Sequence, residues 1–108
     1  IHDAGNAVDE LAWPMPLLPA FEKEMTDSKI ADTRNLGAGR WGGANTAAAF
    51  LKQFVPNRNY DEDGEQITWA HMDIAGTYWG AKTNTMVGNG ATGIHVRTMY
   101  HLITNWNN

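Results

Sequence analysis

Ile67-Thr68-Trp69-Ala70-His71-Met72-Asp73-Ile74-Ala75-Gly76 alternates as an extended strand does, because successive side chains leave its backbone on opposite sides. Ala70, Met72 and Ile74 share one side; Trp69, His71 and Asp73 share the other. Neither side is wholly polar. The strand is therefore expected to be covered on both faces, as in an α/β sheet, and not half-solvated. Gly76 breaks it, and residues 76–90 read as a loop.

Upstream stands a second informative run, Asn35-Leu36-Gly37-Ala38-Gly39-Arg40-Trp41-Gly42-Gly43-Ala44-Asn45-Thr46-Ala47-Ala48-Ala49-Phe50-Leu51. It reads as a glycine-rich turn feeding a helix over about 44–55 that Pro56 ends. Ala44, Ala47, Ala48 and Leu51 form one stripe, with Phe50 and Phe54 beside it, and a stripe of alanines lets a helix approach its neighbour closely. The turn could cradle an anion on free backbone N–H groups. No Gly-Lys-Ser/Thr follows it, however, and a tight turn setting a helix against a sheet explains the glycines as well. Arg40 and Trp41 could stack on a ligand or a partner surface.

Nearer the start, Ala4, Ala7, Val8 and Leu11 have helical spacing. Pro14, Pro16 and Pro19 forbid regular helix until Pro19 itself, which suits a first helical position, and Phe21 and Met25 then lie one turn apart. Lys29-Ile30-Ala31 reads as a short strand. Past the loop, Thr92 is a candidate cap for a final helix in which Val96, Met99, Tyr100 and Ile103 share a face.

Composition narrows the function classes. A chain of 108 residues forms one domain, and at 43% hydrophobic and 19% charged residues it is ordinary globular material. Its net charge of −4, without a lysine or arginine cluster, argues against nucleic acid and anionic membranes as partners. With no cysteine there is neither a disulfide framework nor a thiolate metal site. No apolar run reaches bilayer-spanning length, and the N-terminus lacks the pattern of a signal peptide. Five Trp and five Met are much large apolar surface for so short a chain, and part of it is expected to meet other segments or subunits. Ile1-His2-Asp3, read as mid-helix and without Met, leads us to expect a fragment or a processed product.

Few residues suggest chemistry by themselves. His71 and Asp73, two apart on one strand face, are either an oriented acid-base or metal pair or a buried polar pair that satisfies itself; a covered strand favours the second. Asp61-Glu62-Asp63-Gly64-Glu65 could offer oxygen ligands to a hard cation but lacks the twelve-residue calcium-loop pattern, so a solvated acidic loop is the better reading. The five tryptophans are spread over different elements, which suits packing better than a sugar-binding face. No cluster makes a complete active site.

Five segments, in order, resemble the leucyl (cytosol) aminopeptidase family. Trp13-Pro14-Met15-Pro16-Leu17 is similar to that family's Trp-x-Leu-Pro-Leu, and Ser28 through Asn35 to its Ser-x-x-Ala-Asp-x-x-Asn. Gly42-Gly43-Ala44 with Thr46-Ala47 resembles Gly-Gly-Ala-x-Thr-Ala, and Trp69 through Gly76 differs from the usual form only by Met72 for Leu. Gly90-Ala91-Thr92-Gly93 is similar to the final Gly-x-Thr/Ala-Gly turn.

The resemblance implies a two-metal hydrolase, a metalloprotease that removes N-terminal, leucine-like residues from peptides, with zinc, manganese or magnesium polarising the scissile carbonyl. It implies an α/β fold with a mixed sheet flanked by helices, a cytoplasmic homo-hexamer, and residues 1–108 as the C-terminal part of the catalytic domain. The family's metal motif, Asn-Thr-Asp-Ala-Glu-Gly-Arg, is absent here, so no residue is assigned to a metal or to catalysis. What carries over is pocket wall. Leu36 matches the position, usually Ile, that lines the pocket for the second residue. Ala75 matches a small residue lining the pocket for the N-terminal side chain. Tyr78 stands where the family often has Met, and would narrow that pocket or add a hydroxyl. The expected partners are peptide substrate and the remainder of the domain, with neither nucleic acid nor membrane. The alternative is a non-catalytic structural or binding relative that keeps the fold without the metals.

Overall fold

Prolines, glycines and several long-range polar contacts set the architecture. The structure, a computed structural model, describes residues 1–57, 64, 67–80 and 89–106. Four helices form among them: α1 (His2–Ala7), α2 (Pro19–Thr26), α3 (Gly43–Lys52) and α4 (Val96–Thr104). The chain divides into two compact units, one of Ile1–Pro14 with Asp73–Asn108 and the other of Met15–Met72.

In the first unit α1 packs against α4. A helix of 6 residues is far too short to persist by itself. It is closed by the N–H groups of Val8 and Glu10, which both donate to the Gly5 carbonyl at 3.2 and 2.9 Å. Asp9 turns the chain at φ 61°, a left-handed conformation that an aspartate tolerates. The turn delivers Glu10 to the start of α4. There the cap residue is His95, at φ 65° and without a capping side-chain bond. Glu10 replaces that cap from a distant point in the sequence. Its Oε2 accepts the Thr98 N–H at 2.9 Å and the Thr98 hydroxyl at 2.8 Å, and its Oε1 accepts the Arg97 Nε–H at 3.1 Å. A carboxylate at the positive end of a helix is favourable. Glu10 is only 5% exposed. That burial raises its carboxyl pKa, but the Thr98 donors and the Arg97 guanidinium outweigh it and hold the group below the ordinary glutamate value. The Thr98 hydroxyl, having given its proton to Glu10, is left as acceptor for His95 Nδ1 at 3.3 Å.

In the second unit α2 packs against α3. Pro19 sits in the first turn of α2, where its missing N–H costs nothing. Met25, 1% exposed, and Ala49, at 0%, are the buried apolar contribution of this unit. Asn45 donates to the Pro16 carbonyl, and Lys52 pairs with Glu22 at 2.6 Å. The glycine turn follows from close approach. A Cβ at Gly37 would meet Glu24 Oε1 at 3.2 Å and Thr46 Oγ1 at 3.3 Å, and the same Glu24 oxygen accepts the Ala38 N–H at 2.6 Å. Gly42, the cap of α3, has φ 73°.

Several expectations are corrected. No β-strand forms among the described residues, which hold one isolated antiparallel bridge, Trp79 with Ala91. The run from Ile67 to Ala75 therefore lacks the neighbours that a strand needs for its backbone groups. Its ends are tied locally instead: Ile67 N–H donates to the Pro56 carbonyl at 3.3 Å, and Ala75 N–H to the Asp73 carboxylate at 3.0 Å. The alternation survives in one contact, the stacked rings of Trp69 and His71, 6.2 Å apart. At Lys29-Ile30-Ala31 the Ser28 hydroxyl captures the Ile30 and Ala31 amides at 3.3 and 3.1 Å, a local turn in place of a strand.

The helices differ from expectation in face more than in place. α3 ends at Lys52, and Gln53, Phe54 and Val55 continue it with tighter i to i−3 bonds. Its buried side is Asn45, Thr46 and Ala49, not the stripe of Ala44, Ala47, Ala48 and Leu51. On α4, Val96, Tyr100 and Ile103 face solvent while Thr98 is buried. α1 stops at Ala7, leaving Leu11 exposed. Trp13, Trp41, Trp79 and Trp106 are also exposed, so these four do not pack in a core of this chain.

Candidate pocket walls

The unit of α2 and α3 presents an open depression of about 560 Å³, walled by Ile30, Thr33, Arg34, Asn35, Leu36 and Phe50 among others. Leu36, the residue expected to line a pocket for a second substrate residue, stands in it and is 76% exposed. The segment is pinned to the end of α2, because Arg34 N–H donates to the Met25 carbonyl at 2.7 Å.

Ala75 and Tyr78 come together in the other unit, on one turn. Thr77 and Tyr78 both donate their N–H to the Ile74 carbonyl, at 2.9 and 3.0 Å, and the Asp73 carboxylate holds the Ala75 amide. Both side chains are exposed. What fixes this turn is Thr92. Its hydroxyl donates to the Thr77 carbonyl at 2.7 Å and its N–H to the Tyr78 carbonyl at 2.8 Å. Gly80 N–H adds a bond to Gly90 at 3.3 Å, and both glycines have positive φ, 79° and 127°. Thr92 is not the helix cap expected from the sequence: α4 starts further on, at Val96 with His95 as its cap residue, and the Thr92 hydroxyl donates to Thr77 while accepting the Ile94 N–H at 3.3 Å. Thr92→Val, which keeps the shape and the N–H, is expected to remove about 1 kcal/mol locally. Faster hydrogen exchange at the Thr92 amide, with α4 amides unchanged, is the reading that checks it.

His71 is half-buried against Trp69, and Asp73 is exposed and occupied by its own local turn. No group of three His, Cys, Asp or Glu gathers among the described residues, so these residues do not fit a two-metal centre. The acidic run 61–65 lies outside the described residues apart from Gly64. Arg40 stacks over the Trp41 ring at 5.1 Å, and both are exposed on the glycine turn. No helix among the described residues is long and apolar enough to cross a membrane.

The profile of the cytosol aminopeptidase family, catalytic domain, matches residues 1–100. A probable cytosol aminopeptidase of Afipia carboxidovorans is 44% identical over 103 residues, covering 95% of this chain and 18% of that protein. One of Desulforapulum autotrophicum is 42% identical over 107 residues, covering 98% and 19%. A third, of Roseiflexus castenholzii, is 43% identical over 104 residues, covering 95% and 19%. The chain belongs to the cytosol aminopeptidase family, and it spans about a fifth of the length of these curated relatives.

Proposed function

We propose that this chain is the C-terminal segment of the catalytic domain of a metal-dependent leucyl aminopeptidase, which releases leucine-like N-terminal residues from peptides. The observation that carries the reading is the family match across residues 1–100. In it, Leu36 lines the pocket for the second residue, while Ala75 and Tyr78 line the pocket for the residue released. The Tyr78 ring narrows that pocket relative to a methionine. Two divalent ions, zinc, manganese or magnesium, would be held by residues beyond this chain, since the family's Asn-Thr-Asp-Ala-Glu-Gly-Arg motif is absent from its sequence.

The mixed sheet belongs to the same proposal. Ile67 to Ala75 is patterned as a strand yet has no ladder here, which supports a place in a sheet whose other strands lie elsewhere in the domain. Exposed Trp13, Trp41 and Trp106 support further cover from the domain and from a homo-hexamer. Cytoplasmic location rests on the relatives, which are named cytosol aminopeptidases.

The test is a peptidase assay on two purified polypeptides. The 108-residue chain with added zinc, manganese or magnesium is expected to leave leucyl-p-nitroanilide intact. A polypeptide several times longer that carries this segment and an Asp-Ala-Glu metal motif is expected to cleave it, and to stop on chelation. Activity from the short chain overturns the assignment of the ligands. An inert longer polypeptide overturns the enzyme reading in favour of a non-catalytic relative.

A further inference from the structure

Among the described residues, the depression beside Leu36 is lined by one charged side chain. Arg34 lines it, and among the described residues no aspartate or glutamate does. The ion pairs of the described residues are His2–Asp3, Lys52–Glu22 and Arg97–Glu10, so Arg34 is in none of them. Its guanidinium makes no hydrogen bond among those residues either, although its backbone is fixed by the 2.7 Å bond to Met25. The remaining unpaired basic side chains described, Lys23, Lys29 and Arg40, stand on the exposed surface; Arg34 is half-buried and lines the depression with Leu36 and Phe50.

A half-buried cation flanked by Ile30, Leu36 and Phe50 selects a ligand with two parts, an apolar side chain and an anion next to it. A guanidinium matches a carboxylate through two parallel N–H···O bonds. One such group neutralises a monoanion, whereas a phosphate dianion would leave a charge uncompensated. The geometry points to a subsite for the free C-terminal carboxylate of a short peptide. The side chain of that last residue rests on Leu36 and Phe50, and its carboxylate is held by Arg34. Because the inference builds on Leu36 lining the pocket for the second residue, it makes dipeptides, whose second residue is also the last, the substrate class favoured by this enzyme.

The experiment compares N-acetyl-leucine with N-acetyl-leucinamide, which differ in the carboxylate alone. Binding to the intact polypeptide is followed by NMR at the Arg34 Nε–H and the Leu36 methyls. The acid is expected to bind at least about tenfold tighter than the amide, the smaller end of what a charge-assisted pair contributes. Arg34→Gln is expected to bring that ratio close to one, and Arg34→Lys to leave it in between. Arg34 gives no side-chain bond to the described residues, so both variants are expected to keep the fold, which circular dichroism verifies. Equal affinities in the unmodified protein, or a ratio that survives Arg34→Gln, would sink the subsite. Hydrolysis of leucyl-leucine and leucyl-leucinamide keeps the two readings apart. Cleavage of both at the same KM removes the carboxylate subsite and leaves the aminopeptidase. Cleavage of neither, with the acid-to-amide binding ratio intact and lost in Arg34→Gln, removes the aminopeptidase and leaves the subsite.

Discussion

Glu10→Ala is expected to melt the α1–α4 unit well below the temperature of the parent chain, at a cost of about 3 kcal/mol. The substitution strands three donors at once. The Thr98 N–H and hydroxyl are buried and lose their acceptor, and Arg97 loses its partner. His95, in a left-handed conformation, cannot supply the missing cap. Most of the loss comes from Thr98, which is fully buried, and little from the exposed Arg97, whose pairing water competes for.

Acid should act through the same group. The Glu10 carboxyl titrates below its ordinary 4.5 when folded, so in that window the unfolded chain binds more protons than the folded one. Its stabilisation is thus complete above pH 4.5 and is lost as the pH falls through the lowered folded value. Thermal melts of the parent and of Glu10→Ala should be well separated at neutral pH and should converge on acidification. Melts that stay equally far apart down to pH about 2 would show that the carboxylate is not the source.

Gly5→Ala is the second large effect, and its sign is opposite to the usual one. In a helix interior alanine is favoured over glycine by roughly 0.5–1 kcal/mol. Here a Cβ at Gly5 would lie 2.5 Å from the Glu10 carbonyl oxygen and 3.7 Å from the Thr98 hydroxyl. The near atom belongs to backbone, which has no rotamer to yield. The turn that aims Glu10 must open instead, weakening the Gly5–Glu10 bond and the carboxylate's reach to Thr98. A net loss of about 2–3 kcal/mol is expected from urea unfolding followed at the helical signal. A variant as stable as the parent would mean that the turn can relax freely. The two substitutions touch one device, so the double variant should lose less than the sum of the singles.

How much of this was legible in the sequence depended on where the cause lay. α2 was readable because Pro19 fixes a helix start by covalent geometry, and the turn before α3 because of its glycines. The alternation around His71 was also a local signal, and the Trp69–His71 stack preserves it. The sheet is not completed among the described residues, since a strand needs neighbours and none there pairs with this run. Helix faces misled for a related reason. A stripe rule assumes that apolar residues turn toward a core of the same chain, yet the buried apolar residues here are Ala4, Met25 and Ala49, while Val96, Tyr100 and Ile103 stay outside. Leu36, Ala75 and Tyr78 came from family resemblance and not from any pattern. Arg34 and Thr92 drew no functional assignment, because an unpaired guanidinium and a hydroxyl aimed at Thr77 exist only once the chain has folded.

The clamp between Glu10 and Thr98 joins residues 88 positions apart. At a synthesis rate of about 5–20 residues per second, Glu10 leaves the ribosome roughly 4–18 seconds before its partner is made. Through that interval α1, too short to hold itself, lacks α4, and the Glu10 carboxylate is without its Thr98 donors. Glu10 is thus made well before the donors it serves, and a polypeptide cut short before α4 would keep the carboxylate and lose its Thr98 and Arg97 partners.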